Sequence, residues 1–244
     1  CALPISSTGA LVAPDSYYGR IREICDRYRV LLIYDEVMSG AGRTGRHYLG
    51  GAHWNAEPDL IALSKGMAAG YSPLGAMVTS GKMVEPVLDS GGFVHGYTYA
   101  GNPLSCSAGL AVLEEIEKQN LLAKAELTGA LLKSRLEALL PRFSFIGDVR
   151  GKGLLLAVEF VSDRETMQPL PPEMNAHTEV VDMAFERGLI IYSRRTRGGR
   201  IGDHFLICPP LIIEEAQIDE LLEMFTDTLV EFAQKHKLSC NSEE

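Results

Sequence analysis

Residues 30–36 read VLLIYDE and residues 59–66 read DLIALSKG. Each is a short aliphatic run that ends in groups able to do chemistry: Asp35-Glu36 after the first, Ser64-Lys65-Gly66 after the second. Apolar runs this short, without alternation, predict strands buried on both faces. Ahead of the first run, Pro14 and Asp15 open a stretch with Tyr17, Tyr18, Ile21, Ile24, Cys25 and Tyr28 at helical spacing. A helix followed by a buried strand is the rhythm of an α/β protein with a parallel sheet. In such sheets ligands bind beyond the carboxyl ends of the strands, where these polar residues fall.

Residues 39–51 hold five glycines and read as loop. Leu74 to Thr79 predicts a third strand. Pro103 to Lys118 and Leu121 to Leu140 keep helical spacing. After Pro141 the pattern changes: Phe143 to Val149 and Leu154 to Phe160 predict strands around a turn at Arg150-Gly151-Lys152-Gly153. Glu173 to Arg187 predicts a helix, Leu189 to Tyr192 and Phe205 to Cys208 predict strands, and Glu214 to Lys235 a final amphipathic helix. The pattern divides the chain into a first domain, 1–118, built as an α/β layer with a mostly parallel sheet, and a smaller α+β domain, 119–244.

Of the 244 residues, 46% are hydrophobic and 23% charged, the composition of a globular protein with a sizeable core. The net charge of -9 argues against broad binding to nucleic acid or to anionic membrane, since both need clustered Lys and Arg. The one basic cluster, Arg194, Arg195, Arg197 and Arg200, reads as a solvated loop. No apolar run approaches the roughly 20 residues of a membrane span. The five cysteines show no metal-type pairing. Cys25, Cys106 and Cys208 lie in apolar patterns and read as reduced core thiols of a cytoplasmic protein. The six histidines show no metal spacing either, and no metal is expected. The chain opens on Cys1 without a lead-in, which predicts a truncated reading frame.

Lys65 is the first chemical candidate. A lysine brought to the end of a buried strand is poorly solvated, and desolvation favours the neutral amine that a Schiff base requires. Asp35 is the second: a carboxylate ending a buried strand is either costly or paired. Both could face one crevice.

Three longer stretches carry a specific likeness: LLIYDEVMSGAGRTG from Leu31, PDLIALSKGMAAGYSPLGAMV from Pro58 and HGYTYAGNPLSCSAGLAVL from His95. In order and spacing they closely resemble the class III (fold type I) aminotransferases, and the likeness continues through VRGKGLLLAVEF and ICPPLI. The resemblance implies a three-layer pyridoxal 5'-phosphate (PLP) transferase large domain, partial here, with a smaller C-terminal domain. It implies that Lys65 forms the Schiff base with the cofactor and later shuttles a proton, that Asp35 pairs with the pyridine nitrogen, that Glu36 supports Asp35 from behind and that Val37 packs on the ring. Thr98 matches the threonine that donates to the cofactor phosphate of a neighbouring subunit, which implies a homodimer with shared active sites. Arg43 is the arginine of the loop near the substrate, placed either to hold a carboxylate or to brace the loop.

Two departures stand out. The family's N-terminal half, with its phosphate cup and stacking aromatic, has no counterpart, and Leu3 stands where glutamate is usual. In the segment before Pro209-Pro210, Leu206 stands where many members acting on α-amino acids carry arginine. The sequence is more similar to members that move amino groups from amines or ω-amino acids to pyruvate or another oxo acid, with Arg200, and Arg197 behind it, as the candidate carboxylate-binding loop arginine. Another PLP reaction on the same scaffold (decarboxylase, racemase or aminomutase) and a non-catalytic fragment or interaction module are the competing readings.

Overall fold

The computed structural model describes residues 1–6, 8–196 and 200–241. The chain forms two compact units, one of Cys1–Ile5 with Ala13–Ala123 and one of Ser6–Val12 with Lys124–Glu244. The division falls at Ala123–Lys124, within a helix. Ser6–Val12 joins the second unit because it is tied there: the Gly9 carbonyl accepts from Arg150 Nε at 2.6 Å.

In the first unit, α1 (Asp15–Tyr28) begins after Pro14, whose φ of -54° is already helical. It ends where Arg29 turns left-handed at φ 54°. Tyr18 buries the inner face of α1 against Trp54, ring centroids 4.2 Å apart. Strand β1 (Ile33–Asp35) pairs in parallel with β2 (Leu60–Leu63), Asp35 opposite Ala62. Ala2 bridges to Tyr34 in parallel on the far side of β1. The third strand, β3 (Ala76–Thr79), runs antiparallel to β2, so the sheet is mixed at that edge. Helix α2 (Gly81–Asp89) has Pro86 in its interior and glycines beyond its end, which hide its spacing in the sequence. Helix α3 (Pro103–Lys118) is capped by Asn102 Oδ1 on Ser105 N. Val30 and Leu31, expected inside a doubly buried strand, are exposed. They lie ahead of β1, where Val30 N still closes the end of α1 on Cys25 O.

The second unit holds α4 (Leu121–Glu137, which starts before the dividing point), β4 (Ile146–Lys152), β5 (Leu155–Asp163), the short β6 (Gln168–Pro169), α5 (Ala176–Glu186), β7 (Tyr192–Thr196), β8 (Ile201–Ile207) and α6 (Glu215–His236). The sheet runs β4-β5-β8-β7 with β6 on β5, and every pairing is antiparallel. Its core is aromatic: Phe145 meets Phe160 edge-on at 5.0 Å, and Phe232 of α6 packs on both.

Three expectations need correcting. Residues 150–152 continue β4, with Arg150 opposite Ala157 and Lys152 opposite Leu155, because pairing that far keeps the backbone groups bonded and leaves a tight turn after Lys152. Arg194 and Arg195 are strand residues of β7. Arg195 Nε donates to the buried Asp203 at 2.9 Å, so a carboxylate inside the fold pulls one member of the basic cluster in. Arg197 lies outside the described residues. None of the five cysteines is in a disulfide, but Cys106 and Cys208 are exposed, since α3 shows solvent the face that carries Cys106 and Cys208 follows the last residue of β8.

Gly129 tests the packing of α4. A Cβ there would lie 2.3 Å from backbone atoms of Gly153. Alanine gains up to about 1 kcal/mol in helix propensity, whereas forcing backbone apart costs about 1–3 kcal/mol. Gly129→Ala is therefore expected to lower the urea midpoint of the second unit. A raised midpoint would mean that α4 does not approach the turn this closely.

Candidate active site

Adjacent parallel strands deliver two reactive groups to one sheet edge. Asp35 is the last residue of β1, and Lys65 stands two residues beyond the last residue of β2. Neighbouring strands are about 4.8 Å apart, so both residues leave the carboxyl end of the sheet side by side. Asp35 is held at both ends: its N–H donates to Ala2 O at 2.8 Å, and its Oδ1 accepts from Val37 N at 3.0 Å. That bond also fixes the direction in which Val37 leaves the strand. Among the described residues, Asp35 Oδ2 takes no hydrogen bond and is available to a donor.

Lys65 opens a short 3-10 turn, Lys65–Ala68, with φ at 43°. For a residue with a Cβ the left-handed conformation costs about 1–2 kcal/mol, and such costs concentrate where geometry serves function. The turn packs closely on the glycine-rich loop: a Cβ on Gly66 would come within 2.7 Å of Ala41 Cβ. Ser64 Oγ ties the same turn to Leu74 O at 2.9 Å. Lys65 itself is exposed, contrary to the poor solvation expected from its place after an apolar strand, because β2 is only half-buried along most of its length.

Glu36 has the opposite environment. It is 1% exposed and its carboxylate accepts from Ser39 Oγ, from Gly50 N at 3.0 Å and from Gly51 N at 2.5 Å. These bonds reach the loop and not Asp35, whose negative charge instead acts against that of Glu36. Burial raises the Glu36 carboxyl above the ordinary range, against the lowering effect of the three donors. Arg43 is half-buried on this loop, with its N–H on Gly40 O at 3.3 Å.

The structure thus gathers Asp35, Glu36, Val37, Lys65 and the loop bearing Arg43. It leaves Thr98 in an exposed turn between α2 and α3, among the exposed Phe93, Val94, Tyr97 and Tyr99. Arg200 is exposed and belongs to the second unit. Sequence reasoning missed the partners of Glu36. The signal was present in Ser39, three residues on, and in the Gly50-Gly51 pair that closes the loop. Among the described residues no group of three or more His, Cys, Asp or Glu could hold a metal ion, and no helix is long and apolar enough to cross a membrane.

Residues 4–229 match the family model described as aminotransferase class-III. The chain is 40% identical over 228 residues to the uncharacterized aminotransferase YodT of Bacillus subtilis (strain 168), covering 92% of this chain and 51% of that protein. It is 38% identical over 220 residues to the taurine–pyruvate aminotransferase of Bilophila wadsworthia, covering 88% and 47%. Its fold superimposes with a TM-score of 0.85, at 36% identity, on a PLP-bound amine transaminase from an uncultivated Pseudomonas species, covering 94% of this chain and 51% of that one. The chain spans about half the length of the relatives it matches.

The left-handed Lys65 makes a stability prediction. Glycine relieves about 1–2 kcal/mol of strain there and costs about 0.5–1 kcal/mol of chain entropy. Lys65→Gly is expected to be more stable than Lys65→Ala by roughly 0.5–1 kcal/mol in urea denaturation. Equal stabilities would show that the backbone at residue 65 is not strained.

Proposed function

The chain belongs to the class III aminotransferases, and we propose that its protein moves an amino group from an amine or ω-amino acid to an oxo acid such as pyruvate, with pyridoxal 5'-phosphate as cofactor. The observation that carries this reading is the pairing of Asp35 and Lys65 at the carboxyl ends of adjacent parallel strands. The donor set fits the cofactor. A carboxylate with one free oxygen suits a protonated pyridine nitrogen, and an amine one strand away suits the cofactor's carbonyl carbon. When bound, the cofactor supplies an electron sink for charge developing at the amine-bearing carbon of the substrate.

The chain's own groups then have distinct tasks. Asp35 keeps the pyridine nitrogen protonated, and its bond from Val37 N holds the carboxylate in place. Val37 packs on the ring. Lys65 would hold the cofactor through Nζ, and its free amine would serve as the base that accepts the proton from the amine-bearing carbon of the substrate. The exposure of Lys65 suits an amine that must swing between these positions. Arg43 is one candidate to receive the substrate carboxylate and Arg200 is another. Leu206, on β8, supplies no guanidinium for an α-carboxylate, which favours amine and ω-amino-acid donors. Thr98 donates to the cofactor phosphate of a second subunit. The exposed Phe93, Val94, Tyr97 and Tyr99 around it give a homodimer interface apolar area to bury. Five cysteines outside disulfides fit a cytoplasmic protein.

The test is alanine formation from pyruvate with taurine, β-alanine and simple amines as donors. Alanine is expected, lost in Lys65→Ala and reduced at least ~10²-fold in kcat in Asp35→Asn. Arg200→Ala is expected to raise the KM for pyruvate; an unchanged KM removes Arg200 from the site. Racemisation of an amino acid without consumption of pyruvate would replace this reading with the racemase one.

A further inference from the structure

Glu36 is an expensive residue to keep. Its folded-state pKa is raised, with desolvation the leading cause, so its contribution to stability is present below the unfolded pKa and lost as pH rises through the folded one. Ionising this buried carboxyl therefore costs stability as pH rises, against the lowering effect of its three hydrogen bonds. A cost of this kind marks a group retained for something other than stability.

What the carboxylate holds is the loop. Residues 37–49 leave β1 and return at Gly50-Gly51. The root of the loop is fixed by Glu36 N on Ala62 O and by Gly40 N on Glu36 O, both 2.9 Å. The carboxylate then takes Ser39 Oγ from the outgoing end and Gly50 N and Gly51 N from the returning end. Only glycine permits this at residue 51: a Cβ would lie 2.5 Å from the Tyr34 ring and 3.0 Å from Glu36 Oε1. That ring cannot give way easily, because Tyr34 OH is bonded to Ala56 O at 2.9 Å. Between the two ends, Gly42 N bonds to Tyr48 O at 3.0 Å and Arg43 N to Gly40 O. Arg43 thus rides on a loop whose ends both close on one carboxylate.

We propose that Glu36 is a positioning residue for substrate recognition: by closing both ends of the loop it sets where Arg43 stands relative to Asp35 and Lys65. The proposal rests on the reading of Arg43 as a substrate-carboxylate group. It differs from a role in which Glu36 supports Asp35 and so acts on the cofactor. The two roles separate in measurement, since one governs affinity for a carboxylate substrate and the other the chemistry at the ring.

The variant is Glu36→Gln, which keeps the length of the side chain but turns an –NH2 toward groups that are themselves donors. Hydrogen exchange in the full chain is expected to accelerate at least ~10-fold at the Gly50 and Gly51 amides and through the loop, with β1 and β2 unchanged. The KM for pyruvate is expected to rise about 10-fold, while kcat and the absorbance of the bound cofactor stay near those of the parent. Ser39→Ala, which removes one donor and no charge, is expected to give the same pattern more weakly, and it decides the matter if Glu36→Gln does not fold. Unchanged loop exchange would overturn the proposal. So would a fall in kcat with a shifted cofactor absorbance and an unchanged KM, which would assign Glu36 to Asp35. If the parent itself neither binds the cofactor nor turns over, the proposed function fails, and the exchange measurement still reports on the clamp.

Discussion

The parallel pairing of β1 with β2 is the constraint on which the site depends. Parallel neighbours point the same way, so their carboxyl ends emerge together and the residues that follow share one edge of the sheet. Had β2 run antiparallel to β1, as β3 does to β2, Lys65 would leave the opposite edge from Asp35. Backbone register does the coarse placement: Asp35 opposes Ala62, three residues before Lys65. Side chains refine it, with Val37 N fixing the Asp35 carboxylate and Ser64 Oγ fixing the Lys65 turn.

The elements nearest this edge are locally unfavourable. Lys65 adopts a left-handed backbone conformation suited to glycine. Glu36 is ionisable and buried. Asp35 leaves one oxygen without a described partner. In the second unit α6 carries a capping box between Glu214 and Gln217, and the buried Asp203 is satisfied by Arg195 Nε and His177 N, while the buried His204 has neither ring nitrogen hydrogen-bonded among the described residues. The three features of Lys65, Glu36 and Asp35 gather at the carboxyl edge of one sheet, where local costs of this kind serve function.

Much of this was legible in the sequence for identifiable reasons. The bounds of α1 and α3 follow from Pro14 and Asn102-Pro103, which are local signals at the start of each helix. The strands before Asp35 and Lys65 follow from short aliphatic runs. What escaped depends on tertiary partners. Arg195 reads as solvated until Asp203 is seen on the neighbouring strand. Cys106 reads as a core residue until α3 is seen to leave that face open. Solvation of Lys65 depends on what lies over the strand ends, which a run of apolar letters does not state. The partners of Glu36 are backbone amides, and only the Gly50-Gly51 pair hinted at them.

The most direct test of the central claim is borohydride reduction of the purified chain with pyridoxal 5'-phosphate, followed by peptide mass mapping. One reduced phosphopyridoxyl group is expected, on Lys65, absent from the Lys65→Ala chain. A label spread over other lysines, or one that persists without Lys65, would contradict the assignment of the sheet edge as the cofactor site.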